Sequence, residues 1–283
     1  MDKKEVIIKF VDENIETESI LEMVDAGVLS ATIADSHIAK IWSEVLPEIQ
    51  LQENAVLRKN SKIAWAVRKN NPKLKNSLDS FLQNHKKGSL LGNIYYNRYY
   101  KSASKLKNPD NIESWGKLKK YKKYIKKYAE KYDFDWLLIM ALAFQESGFD
   151  NSKVSGKGAV GVLQILPSTA ADKKISIKDI NDPENNIHAG VKYLDFIRNR
   201  YFSDEDIEAK DRVRFTLAAY NAGPAKIRKA RNLTEKMGLD RNKWFRNVEI
   251  GTLRTVGHEP VEYVSNINKY YVLYQNLFEE KPL

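Results

Sequence analysis

The stretch Leu137–Gln164, LLIMALAFQESGFDNSKVSGKGAVGVLQ, constrains this chain more than any other. It reads as an almost wholly apolar helix that ends in one carboxylate and runs into a glycine-rich turn. A helix apolar on every side has to be buried. The residues that share a face with Glu146 lie three, four and seven positions back, at Ala143, Leu142 and Ile139,. All three are apolar, so Glu146 stands where a core residue is expected. Gly148 supplies the left-handed stop that ends helices cheaply,. A carboxyl group held partly out of water keeps its proton to higher pH, which is what a general acid needs. The plainer alternative is a helix-terminal glutamate that snorkels to solvent.

From Lys117 onward helical patterns take over, at Lys117–Lys131, Asp135–Ser147, Ser168–Lys173, Ile187–Tyr201, Asp211–Tyr220, Pro224–Arg231 and Val261–Phe278,. Pro167 and Pro224 fit the first-turn preference of proline. Residues 1–100 read differently. Strands are expected at Glu5–Val11, Leu29–Asp35, Ile49–Val56 and Lys62–Val67, alternating with helices at Glu16–Asp25, at His37–Val45 and from Pro72 to before Gly88,. That alternation suggests a partly parallel sheet. Residues 101–115, with Pro109 and no periodic pattern, read as a linker,. The fold class expected is therefore α+β overall: an incomplete α/β region over 1–100, then an all-α domain over 116–283.

At 283 residues the chain has room for two such domains,. Its net charge of +10 draws heavily on Lys117–Lys127, where Leu118, Tyr121, Ile125 and Tyr128 recur at helical spacing. Two readings stay open there: a solvated face of an amphipathic helix, or attraction to a polyanion. No nucleic-acid motif accompanies it. No apolar run approaches the roughly 20 residues of a membrane span, and the first residues lack the apolar core of a signal peptide. Cysteine is absent, which excludes thiol catalysis. His37, His85, His188 and His258 show no metal-ligand spacing, so neither a metal nor a cofactor is expected,.

Four short motifs follow one another in the helical half: Glu146-Ser147-Gly148, Gly161-Val162-Leu163-Gln164, Ala219-Tyr220-Asn221-Ala222-Gly223, and Tyr263 within EPVEYVSNI. In that order, with SGKGAVGVLQILPSTA, DPENNIHAGVKYL and TLAAYNAGPAKI around them, they closely resemble the lytic transglycosylase domain of the soluble-lytic-transglycosylase family, which shares its fold with goose-type lysozyme. The resemblance covers residues 120–275. It implies a lysozyme-like fold, peptidoglycan glycan strands as substrate, and a periplasmic or cell-envelope site of action; full-length relatives are associated with the outer membrane. Leu163 stands where the family usually carries methionine, a volume-conserving exchange.

The chemistry can be weighed apart from the resemblance. Glycosidic cleavage needs a proton delivered to the leaving oxygen, and Glu146 suits that. Asp150, Asp182 and Glu184 sit in polar sequence, so a second catalytic carboxylate is not evident. One carboxylate fits a reaction in which the substrate supplies its own nucleophile. The resemblance implies that the N-acetyl group of N-acetylmuramic acid assists departure and that its 6-hydroxyl closes a 1,6-anhydro ring. It assigns Ser147, Gly161, Gln164, Tyr220, Asn221 and Tyr263 to substrate binding, with Tyr263 also holding the acid in place. Two rivals remain: a hydrolase of the same fold, and a silent wall-binding module.

In front, ESILEMVDAGVLSATIADSHIA and KIAWAVRKNNPKLKNSLDSFL look like the later portion of a type II periplasmic solute-binding domain, through Asp35-Ser36 and the AWAVRK run before an N-P-x-L helix. The two resemblances together imply a shortened murein transglycosylase with part of a binding domain ahead of it. A muropeptide regulator is implied for that domain when complete.

Overall fold

A computed structural model describes residues 8, 10–11, 15–59, 61, 64–86, 88–91, 93 and 115–280, with backbone alone at 115–119, 276–277 and 279–280. The chain divides into two compact units: Thr17–Asn111, and Ile112–Leu283 together with the first sixteen residues.

The smaller unit contains α1 (Thr17–Asp25), α2 (Ser36–Trp42) and α3 (Pro72–Asn84). Leu21, Met23, Val28, Ala39 and Leu46 form its buried apolar set, while α3 buries no residue. The strands expected here are corrected. Leu29–Asp35, Ile49–Val56 and the described part of Lys62–Val67 run without any strand. Most of Glu5–Val11 lies outside the described residues, as does all of the 101–115 linker but Trp115. Valine, isoleucine and threonine favour an extended backbone, but a strand exists only when a neighbour accepts from its N–H groups and donates to its C=O groups. Among the described residues these segments form no ladder: the N–H groups of Leu29, Ile49 and Ala55 turn back to the carbonyls of Met23, Leu46 and Gln52. The α/β front is thus not observed.

The larger unit is helical: α4 (Trp115–Lys131), α5 (Trp136–Ser147), α6 (Pro167–Ala171), α7 (Pro183–Tyr201), α8 (Ala209–Ala222), α9 (Pro224–Lys236), α10 (Glu249–Thr255) and α11 (Glu259–Glu280). Helix α5 is its centre. Asp135 caps its start, accepting from the Leu137 N–H at 2.9 Å, and Gly148 ends it at φ +63°,. From Ile139 to Ala143 every side chain is fully buried. Helices α4 and α11 flank α5; α8 packs on α7, α9 and α11. Helix α7 starts four residues earlier than periodicity indicates because Asp182 accepts the Asn185 N–H at 2.9 Å and Pro183 opens the first turn,. Helix α10 was not expected. It follows an irregular turn, Trp244–Val248, in which Arg246 takes φ +61°.

Candidate active site

Glu146 lies one residue before the end of α5. Ile139, Leu142 and Ala143, on its face, are fully buried, while Glu146 itself is half-buried. Loss of hydration lifts its carboxyl from the ordinary 4.5 to about 7,. A hydrogen bond from Tyr263 and the charge of Lys153 oppose that rise, and the charge of Glu259 adds to it. Near neutral pH the carboxyl therefore exists in both forms. Tyr263, 5% exposed on α11, donates its hydroxyl to Glu146 Oε1. Its own ionisation is pushed well up, first by burial and then by the nearby carboxylate.

The glycine-rich loop after α5 is held from three sides. Ser147 is buried, donates to the carbonyls of Val162 (2.9 Å) and Ala143 (3.2 Å), and accepts from the Asp150 N–H (3.1 Å). Tyr220 of α8 donates its hydroxyl to the Leu163 carbonyl at 2.7 Å. Asn186 of α7 is fully buried: its Oδ1 accepts from the Leu163 N–H at 2.8 Å, and its Nδ2 donates to the carbonyls of Val160 (2.9 Å) and Ile180 (3.0 Å). Gly161 makes that clamp possible. It sits at φ +80°, and a Cβ there would lie 2.2 Å from Asn186 Nδ2,. Gln164, at φ +45°, turns its Nε2 back to the carbonyls of Lys153 (2.9 Å) and Gly161 (2.8 Å). Lys153 in turn donates to the Glu146 carbonyl at 2.6 Å.

A cleft of about 260 Å³ opens at this end of α5, lined by Gln145, Glu146, Asn221, Glu259, Glu262, Tyr263 and Asn266. Three of the seven residues singled out from sequence, Glu146, Asn221 and Tyr263, line it. Ser147, Gly161, Gln164 and Tyr220 instead build the loop beside it. The carboxylates set aside in sequence have structural partners: Asp182 caps α7, Glu184 pairs with Lys127 at 2.6 Å, and Asp150 accepts from Ser152 at 2.6 Å. Sequence reasoning missed Asn186, Glu259, Glu262 and Asn266. The last two share a helix face with Glu259 and Tyr263, at spacings of three, four and seven, a signal that EPVEYVSN carried,. Among the described residues no three His, Cys, Asp or Glu side chains are placed to hold a metal ion.

Residues 123–243 match the Transglycosylase SLT domain. Two curated proteins, each named membrane-bound lytic murein transglycosylase F, align with most of the chain. The one from Desulfosudis oleivorans is 32% identical over 275 residues, 91% of this chain and 59% of its own length. The one from Maricaulis maris is 33% identical over 272 residues, 90% and 58%. The chain thus spans less than two thirds of the length of these relatives. The crystal structure of the 70 kDa soluble lytic transglycosylase from Escherichia coli aligns with 92% of this chain and 43% of its own, at 19% identity and a TM-score of 0.45.

Proposed function

Since residues 123–243 carry the Transglycosylase SLT domain, we propose that the chain is a peptidoglycan lytic transglycosylase. It cleaves the β-1,4 bond between N-acetylmuramic acid and N-acetylglucosamine and leaves a 1,6-anhydro ring on the muramic acid. The observation that carries this reading is the Glu146 carboxyl, lifted to about 7 by burial and gripped by Tyr263. A group poised there can give a proton and take one back within one turnover.

In the first half, Glu146 protonates the leaving glycosidic oxygen while the substrate's acetamido oxygen supports the anomeric carbon. In the second, the Glu146 carboxylate accepts the proton of the muramic acid 6-hydroxyl as that oxygen bonds to the anomeric carbon. The acid is regenerated and no water is consumed. Tyr263 serves both halves, since its hydroxyl steadies the carboxylate and fixes its orientation. Asn221 faces the sugars across the cleft. Ser147, Gly161, Gln164 and Tyr220 contribute by shaping the loop against which a sugar ring rests. No cofactor enters this scheme.

A second reading, hydrolysis by the same fold, draws on Glu259 and Glu262, which bring further carboxylates to the cleft,. Mass spectrometry of muropeptides released from purified sacculi separates the two. Anhydromuramoyl ends support the transglycosylase; products heavier by one water support the hydrolase.

The domain reading follows from the same argument: catalysis in residues 116–283, acting in the periplasm or cell envelope where glycan strands are found. Residues 1–100 are read as part of a type II solute-binding domain, supported by AWAVRK at Ala64–Lys69 ahead of Asn71-Pro72 and α3. A muropeptide is the regulator that a whole domain of this kind would take.

A further inference from the structure

The cleft contains a carboxylate that the proposed cycle does not use. Glu259 opens α11 one turn before Tyr263, and their spacing of four sets both on one face, lining the cleft with Glu146,. Asn221, at the end of α8, donates its Nδ2 to Glu259 Oε1 at 3.4 Å. The ends of two helices are thereby joined across the cleft. We propose that Glu259, held at the cleft by Asn221 and lining it together with Glu146 and Tyr263, is a positioning residue for the acid that extends cleavage to higher pH. The proposal rests on the reading of Glu146 as the acid.

The balance at Glu146 explains why such a neighbour matters. Tyr263 and Lys153 both favour the ionised carboxylate, the first by its hydrogen bond and the second by its charge. Against them stand loss of hydration and the like charge of Glu259,. Glu262 lines the same cleft on the next turn. On the α8 side Tyr220 stays neutral, its ionisation pushed well up by burial and by Glu146. Helix α4, the other neighbour of α5, turns Tyr121, Ile125, Tyr128 and Ala129 inward, and none of them acts on the carboxyl. Among the described residues Glu259 is the α11 carboxylate whose charge favours the proton, four residues from the tyrosine that loosens it. Being exposed, it acts through water, so salt weakens its influence.

The full chain carrying Glu259→Gln tests this. The alkaline limb of sacculus cleavage should move to lower pH, with the deficit largest above neutrality and smaller at acidic pH. Glu259→Asp, which keeps the charge, should hold the limb near its original place. Raising the salt concentration should shrink the difference between wild type and Glu259→Gln. A carbon-13 titration of the Glu146 carboxyl in the substrate-free protein reads the same quantity without turnover. A Glu146 titration that does not move in Glu259→Gln overturns the proposal, whatever happens to KM. Undiminished cleavage by Glu146→Gln would instead strike the acid assignment on which it rests.

Discussion

The two units solve the problem of burying apolar side chains very differently. In the larger one, α5 is closed off so completely that Ile139 to Ala143 see no solvent, and α11, α8 and α4 are organised around it. In the smaller one Trp65 is 57% exposed, Ile33 77% and Leu57 75%, and Trp65 stacks on Phe81 with their centroids 6.1 Å apart. A helix satisfies its own backbone and needs only a partner for one stripe. A strand needs a partner for every other backbone group before it exists at all. Sequence of strand character therefore forms no strand where no ladder is made, and apolar side chains such as Ile33, Leu57 and Trp65 stay uncovered. The Glu146 carboxylate belongs to the closed unit, where the packed core strips water from it.

Substitutions that probe the contrast should separate widely. Ile139→Ala leaves a hole in a fully buried site and should cost about 2–5 kcal/mol in denaturant unfolding of the larger unit,. Gly161→Ala comes next. It forces a side chain into the left-handed region and against Asn186, so about 1–3 kcal/mol should be lost,. Cleavage should fall with it as the loop shifts. Trp65→Ala should change stability by no more than about 0.5 kcal/mol, since most of that ring already faces water,. A loss for Trp65→Ala as large as that for Ile139→Ala would break the comparison.

Much of the closed unit could be read from local signals. The apolar run over Leu137–Phe144 and Gly148 as its stop define most of α5 without any tertiary information. Tyr121, Ile125 and Tyr128 recur at helical spacing and are indeed the buried stripe of α4. What escaped depends on residues far apart in the chain. Asn186 looks like an ordinary polar helix residue, and only its bonds to Leu163, Val160 and Ile180 reveal a clamp. Tyr220 likewise acts through a carbonyl 57 positions away. The front strands were misread for the converse reason: local preference was present and the partners were not. Of the seven site residues named from sequence, the cleft gathers three, and the other four are loop architecture beside it.

The most direct test of the account is Glu146→Gln, followed for both activity and stability. It keeps the shape of the side chain and removes the proton. Cleavage of sacculi should fall by roughly 10²–10⁴-fold on general acid–base grounds alone, while binding to them persists. Because the folded carboxyl holds its proton up to about 7 and the unfolded one only to about 4.5, the wild type loses stability as pH rises between those values and stays lowered above them. Glu146→Gln escapes that loss. The variant should melt above the wild type at pH 8 and close to it below pH 4.5. An inactive protein with that pH-dependent gain is the predicted result. Near wild-type cleavage, or a melting difference that ignores pH, would contradict the assignment of Glu146 as the buried acid.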